Sequence, residues 1–181
     1  MFNSEIEYRQ SMPKGLKETS SIIIVGASVN ESAPNTFTEA AVDLQLNPLD
    51  NEVFVVTAID LDMSAPDAIA ATNTATKASL TTTSQALLPS LANSNCLARK
   101  SMSIRAAGFV DGGVGFMEVA GETPPATLDY IGIIATNDFF LQIEGQNNTG
   151  TKSLSCKVYG YRARADAAVY AGLVQSEVLS S

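Results

Sequence analysis

The stretch Glu52-Val53-Phe54-Val55-Val56-Thr57-Ala58-Ile59-Asp60-Leu61-Asp62 decides the fold class of this chain. It begins as a continuous apolar run that is rich in β-branched residues, and it becomes alternating at its end. Short apolar runs of this composition and a period of two are typical of β-strands. We therefore predict that residues 52–62 form a central strand.

The same signals recur along the chain and are separated by turn residues. Asn47-Pro48-Leu49-Asp50-Asn51 is a strong turn signal, and the Gly- and Asn-rich segment 145–150 has the composition of a hairpin loop. Further strands are predicted at residues 21–25, 42–46, 77–84, 101–109, 113–120, 128–135, 138–144 and 153–164. Short strands at spacings of about ten residues indicate an all-β chain that folds as an antiparallel sandwich or barrel.

Helical patterns are few. Residues 84–91 could form a short helix that Pro89 would end. Residues 166–178 place Val169 and Leu173 on one face, with Asp166 as a possible N-cap, although Gly172 also leaves an extended tail open. With 181 residues and no linker, we predict an N-terminal arm at 1–20, one β-domain at 21–165, and a C-terminal tail or short helix at 166–181.

Composition excludes several kinds of chemistry. The chain has no His, so Ser-His-Asp and Cys-His catalytic arrangements and His-ligated metal sites cannot form. Its net charge of −8 disfavours strong binding to nucleic acid or to anionic lipid, because both depend on Lys and Arg. We therefore expect no enzyme and no required cofactor.

The sequence also indicates a compartment. The N-terminus lacks an apolar run long enough for a signal segment, and Ile22-Ile23-Ile24-Val25 is far too short to span a bilayer. We expect no membrane insertion and synthesis in the cytoplasm. Cys96 and Cys156 match no metal-binding spacing and are read as two unlinked thiols, although a disulfide stays possible.

Charge falls into blocks of one sign. Residues 31–67 and 111–144 carry acids without a base, whereas residues 77–105 and 152–164 carry bases without an acid. Such blocks either pair across strands within the fold or create faces of opposite sign that favour contacts between copies. In the second case the candidate assembly contacts are Arg99, Lys100, Arg162 and Arg164.

One acidic group has the residue types of a cation site. Asp60 and Asp62 share one face of the predicted strand 52–62, and Asp67 follows nearby. Carboxylate oxygens are the ligands that Ca²⁺ prefers, so these three residues form a candidate Ca²⁺ site. A solvated strand end explains the same pattern without a metal.

Four segments carry a resemblance to a known family: the strands 52–62 and 153–164, the loop 145–150, and the Ser-, Thr- and Ala-rich connection at 68–76. With these segments the chain resembles β-sandwich virion proteins of prokaryotic viruses, the single jelly-roll coat proteins above all. The resemblance implies a jelly-roll-like sandwich of about eight strands. It also implies a capsid subunit that assembles in a virion with copies of itself and possibly with other virion proteins. The low charge density agrees with this, because interface cores are depleted in charge. The alternative is a ligand-binding or Ca²⁺-binding β-sandwich module.

Overall fold

The described residues form ten strands, one short 3₁₀ helix at Pro48–Asp50 and one α-helix. The computed structural model describes residues 13–108, 115–121 and 128–179. The elements are β1 Leu16–Glu18, β2 Ile23–Asn30, β3 Thr38–Asp43, β4 Glu52–Met63, β5 Thr74–Thr81, β6 Cys96–Arg105, β7 Phe116–Gly121, β8 Gly132–Ile134, β9 Asp138–Gln146, β10 Ser153–Ala165 and α1 Ala167–Leu179.

The strands form two antiparallel sheets, which confirms the predicted all-β sandwich. Sheet A has the order β2-β10-β4-β8, with β1 beside the far end of β10, and sheet B has the order β3-β9-β5-β6-β7. Leaving β1 and β7 aside, the pairing is nested: β2 pairs with β10, β3 with β9, β4 with β8, and β5 with β6. This nested order of eight strands in two sheets is that of a jelly roll.

A β-bulge in β4 lies where the pattern changes in the segment that decides the fold. The register against β10 shifts so that Val56 faces Gly160 and Ala58 faces Tyr159, which makes Thr57 the extra residue. The Thr57 hydroxyl donates to the Tyr159 carbonyl at 3.1 Å. Both faces of β4 are buried before the bulge, and only one face is buried after it. The continuous apolar run and the alternating run therefore reflect two different environments.

The main core lies between the sheets. Phe54 of β4, Leu80 of β5, Phe139 and Leu141 of β9, and Val158 of β10 are fully buried there. Cys156 belongs to the same cluster, and no disulfide joins it to Cys96. Burial of these apolar side chains away from water is the main contribution to the stability of the sandwich.

Helix α1 covers part of the outer face of sheet A. Its residues Val169, Tyr170, Leu173 and Val174 pack on a second buried cluster, whose members on β4 and β10 are Val53, Val55, Tyr161, Ala163 and Ala165. The helix confirms the helical alternative for the C-terminal segment. Val53 and Val55 are buried although they point away from the main core, because the helix lies over them.

A buried carboxylate fastens the far end of α1. The two oxygens of Glu177 accept hydrogen bonds from the backbone N–H groups of Ala135 and Thr136, both at 3.0 Å. Burial raises the pKa of this carboxyl above its usual value, and the two N–H groups oppose that rise. The helix is therefore tied to the connection between β8 and β9 by polar contacts as well as by its apolar face.

The connection 82–95 covers part of the outer face of sheet B. Beneath it, Gln142 is fully buried and donates to Glu39 at 2.9 Å and to Thr81 at 2.6 Å, while it accepts from Ser79 at 2.9 Å. The connection itself closes on Glu39, which accepts from the Ser84 hydroxyl at 2.6 Å. Residues 84–91 contain no helix, so the short helix considered there is wrong.

Another expectation is corrected. The segment 145–150 is not a hairpin loop, because β9 belongs to sheet B and β10 to sheet A, so the chain crosses between the sheets there. Within the arm predicted at 1–20, Leu16–Glu18 pair with Ala163–Ala165. Residues 1–12 of that arm, residue 109 and residues 113–114 of two predicted strands, and residues 180–181 of the tail lie outside the described residues.

Gly160 gives a test of the β4–β10 contact. A Cβ at this position would lie 2.5 Å from the Phe54 ring and closer still to the Val55 carbonyl oxygen, neither of which can move without disturbing β4. We expect Gly160→Ala to lower the free energy of unfolding by about 3 kcal/mol in urea denaturation, as overpacking in a rigid core does. Gly26→Ala on the neighbouring strand is the matched control. Its nearest atom would be 3.9 Å away, so we expect its stability to equal or exceed that of wild type. Equal stability of both variants would contradict the close contact.

Candidate functional site

The three candidate Ca²⁺ ligands do not converge. Asp60 and Asp62 lie on the exposed face of β4, where their cross-strand partners are Lys157 and Ser155. Asp67 lies beyond the end of this strand and is bound to other groups. Within the described ranges 13–108, 115–121 and 128–179, no group of three or more acidic or Cys side chains could hold a metal ion.

Asp67 is instead the acceptor of a closed set of hydrogen bonds. Its Oδ1 accepts from Lys152 Nζ at 2.5 Å, and its Oδ2 accepts from the Thr149 N–H and hydroxyl, both at 2.8 Å, and from the Gly150 N–H at 3.2 Å. The Lys152 ammonium and the Thr149 donors hold the pKa of this carboxyl well below its usual range. Lys152 is almost completely buried, so Asp67 also neutralises a charge that water does not reach.

A second carboxylate, Glu31, organises the same end of the sandwich. It is buried and accepts from the N–H groups of Gly145 at 2.6 Å, Lys152 at 2.7 Å and Thr36 at 3.2 Å. Asn148 lies beside it and exchanges two hydrogen bonds with Asn35, at 2.7 and 2.8 Å. We name Glu31, Asn35, Asp67, Asn148 and Lys152 the end network.

The end network was not predicted as a unit. Only Asp67 was singled out, as a metal ligand, and Glu31 sits in a polar turn sequence that resembles any exposed loop. The one signal that points to it is the Gly- and Asn-rich segment 145–150. A side chain on Gly145 would collide with the Glu31 carboxylate at 2.9 Å, so the glycine permits this close approach.

The two arginines at the end of β10 are engaged within the chain. Arg162 donates to the carbonyls of Leu44 at 2.9 Å and Gln45 at 3.2 Å, and it pairs with Glu52 at 3.1 Å. Arg164 pairs with Asp50 and donates to its carbonyl at 3.0 Å. Arg162 therefore joins sheet A to the segment that follows β3 in sheet B, and both arginines already have acidic partners.

The other two basic candidates differ from each other. Lys100 occupies an inward position on β6 and donates to the Leu61 carbonyl of sheet A at 2.8 Å. Arg99 occupies the outer face of sheet B, where it lines a groove with Leu91 and Ser101. Of the four candidate assembly contacts, Arg99 alone forms no hydrogen bond or ion pair that we identify in the described part of the chain.

The charge blocks meet inside the fold. Of the ion pairs among the described residues, those of Asp67, Glu52 and Asp50 join the acidic block 31–67 to the basic block 152–164. The pair of Arg105 and Glu118 joins the other two blocks at 3.4 Å. Pairing across strands therefore joins the blocks at these four contacts.

A polar groove crosses the exposed part of the outer face of sheet B. Its volume is about 390 Å³, and it is lined among others by Lys77, Ser101, Ser103, Arg105, Glu118 and Gln146. Lys77 donates to Gln146 at 3.1 Å. The groove shares Ser101 with the smaller depression beside Arg99. It offers hydrogen-bonding groups of both signs, which suits a small polar ligand.

No helix among the described residues is long and apolar enough to cross a membrane.

The Asp67–Lys152 pair predicts a dependence of stability on pH. The pKa of Asp67 is lower in the folded chain than in the unfolded chain, so the pair stabilises the fold above the unfolded value near 3.8 and loses this effect as the pH falls below it. We expect Asp67→Asn to be less stable than wild type at neutral pH. The difference should shrink as the pH is lowered from about 5 to about 2, measured by urea denaturation. Asp62→Asn, which removes an exposed carboxylate from β4, is the control for charge alone. A difference that is constant with pH would contradict the pairing.

Comparison with protein-family models, with curated protein sequences and with solved structures found no match to this chain. No known relative therefore indicates what the groove or the end network does. The physical properties of the fold and its surface are the ground on which a function can be inferred.

Proposed function

We propose that this chain is a self-assembling structural protein, the subunit of a viral capsid that closes through contacts between protein surfaces. The nested strand order supports this, because jelly rolls of this kind build viral shells. The same fold also serves lectins and enzymes, so the surface has to carry the rest of the inference.

The observation that carries the proposal is the position of the exposed apolar side chains. Ile22 and Ile24 lie at the β2 flank of sheet A, whereas Phe116, Met117 and Val119 lie on β7, at the opposite flank of sheet B. Exposed apolar side chains that cluster at the edge of a fold are typical of protein–protein interaction sites. A subunit of a closed shell needs such surfaces on more than one side, and the two flanks supply them.

The charges support the same proposal. The ion pairs described above lie within one chain, and we propose that contacts between copies are made mainly by apolar and small polar side chains, the composition of an interface core. The partners that we propose are copies of this chain and possibly other virion proteins. The proposed location is the virion, after synthesis in the host cytoplasm. A net charge of −8 gives no reason to include the genome among the partners.

Light scattering after size exclusion, followed by negative-stain imaging, tests the proposal. We expect oligomers or particles whose fraction grows with protein concentration and survives about 1 M NaCl, because salt screens charges but does not weaken apolar contacts. A strictly monomeric species at every concentration and salt would overturn the proposal. Particles that dissolve in high salt would instead show that charged contacts hold the shell.

A second candidate function, a ligand-binding module, is favoured by the polar groove on sheet B. Thermal shift measurements with a panel of sugars and small carboxylates test it, because a ligand that binds the folded state raises the melting temperature. Lys77→Ala should abolish a shift that arises in the groove, since Lys77 lines it. Ser28→Ala on the exposed face of β2 should leave that shift unchanged.

A further inference from the structure

Strand β7 is the last strand of sheet B. It pairs with β6 from Arg105 opposite Phe116 to Lys100 opposite Gly121, without a register shift. No strand in the described part of the chain pairs with its other side. As far as the described residues go, the N–H and C=O groups on that side are therefore available for pairing with another strand.

Nothing along β7 hinders such an addition. Natural edge strands are usually guarded by free charges, by proline or by a bulge. The sequence Phe116-Met117-Glu118-Val119-Ala120-Gly121 has no proline, its register is regular, and its single charge, Glu118, is already paired with Arg105 at 3.4 Å. The edge is regular, apolar and unguarded.

Apolar side chains are exposed on both faces of this edge. Met117 and Val119 face Ile104 and Met102 of β6, so they point toward the side of the sandwich where sheet A lies. They are nevertheless 58% and 51% exposed, because sheet A ends at β8, which packs against Leu97 of β6. Phe116, on the opposite face, is 57% exposed. β7 thus projects beyond the sandwich with neither face covered.

We propose that β7 pairs with β7 of a second copy in antiparallel orientation about a two-fold axis, which joins the two B sheets into one continuous sheet. This inference rests on the proposed function and names one of its interfaces. A two-fold axis makes the two edges identical, so each satisfies the other and the contact closes on itself. It also keeps Met117 and Val119 of both copies on one face, where they cover each other.

Charge and size select the register. In a two-fold antiparallel pair, one residue of β7 lies opposite the same residue of the second copy. The register that places Glu118 opposite Glu118 is disfavoured, because like charges directly opposite each other are destabilising. With Val119 opposite Val119 of the second copy, Glu118 lies opposite Ala120 and Met117 opposite Gly121. Each large side chain then meets a small one, which is how facing layers pack without clashes.

The size of the contact determines how it should be detected. A pair of six-residue strands buries less than the roughly 800 Å² per partner of a standard stable interface. The isolated dimer is therefore weak and exchanges quickly, and it becomes stable when the other flanks of the subunit are also engaged. Covalent trapping is a better probe of it than chromatography.

Val119→Cys tests the proposal under mild oxidation with copper phenanthroline. In the proposed register the two introduced thiols are direct cross-strand neighbours, within the reach of a disulfide. We expect a cross-linked dimer on non-reducing gels for Val119→Cys, and none for wild type, which has only Cys96 and Cys156. Ser155→Cys, exposed on β10 in the interior of sheet A and away from both flanks, is the matched control and should stay uncross-linked in the same time. Equal cross-linking of both variants would overturn the proposal.

A charge at the axis provides the second measurement. Val119→Lys places two ammonium groups opposite each other, and because Val119 is more than half exposed the fold should keep its melting temperature. We expect the Kd of self-association, measured by sedimentation, to rise at least about tenfold. Glu118→Gln should not weaken association. If wild type assembles but Val119→Cys is not trapped and Val119→Lys assembles equally well, the β7 interface is wrong and the proposed function stands. If wild type is monomeric throughout, both fail.

Discussion

The contact between β4 and β10 holds the two sheets and the helix in one arrangement. Gly160 lets the two strands approach closely, and the bulge at Thr57 shifts the alternation of β4 by one residue, so that Phe54 and Val56 before it and Ile59, Leu61 and Met63 after it all face the main core. Before the bulge, β4 contributes to the main core on one face and to the helix contact on the other. Without this shift, Ala58, Asp60 and Asp62 would face the main core in place of Ile59, Leu61 and Met63.

Much of the fold could be predicted from local pattern. The segment 52–62 matches β4 almost residue for residue, and the alternation at 153–164 matches β10, because burial of one or two faces leaves a direct mark on composition. The crossing at 145–150 could not be predicted. Turn residues show that the chain reverses, but they do not show whether the next strand joins the same sheet. The short strand β1 was missed for a similar reason, since three residues carry no period.

The polar groups were harder to predict than the strands. The sequence left Asp67 open as a candidate Ca²⁺ ligand or as part of a solvated strand end, and in the structure it neutralises Lys152, a residue 85 positions away in sequence. For Arg162 and Arg164 the sequence left pairing within the fold and contacts between copies both open, and in the structure they bind Glu52, Asp50 and nearby carbonyls of the same chain. The blocks of charge were visible in the sequence, but whether they meet within the fold depends on strand pairing. Charge patterns therefore become interpretable only after the topology is known.

The nested pairing has a consequence for how the chain acquires its structure. Strand β2 pairs with β10, and β3 pairs with β9. The first strands to leave the ribosome therefore find their partners only after nearly the whole chain has been made. Folding dominated by such distant pairings is slow, because loop closure precedes the contacts that reward it. During this delay unpaired apolar strands are exposed, so we expect a cell that makes the protein in quantity to need chaperones to keep them apart.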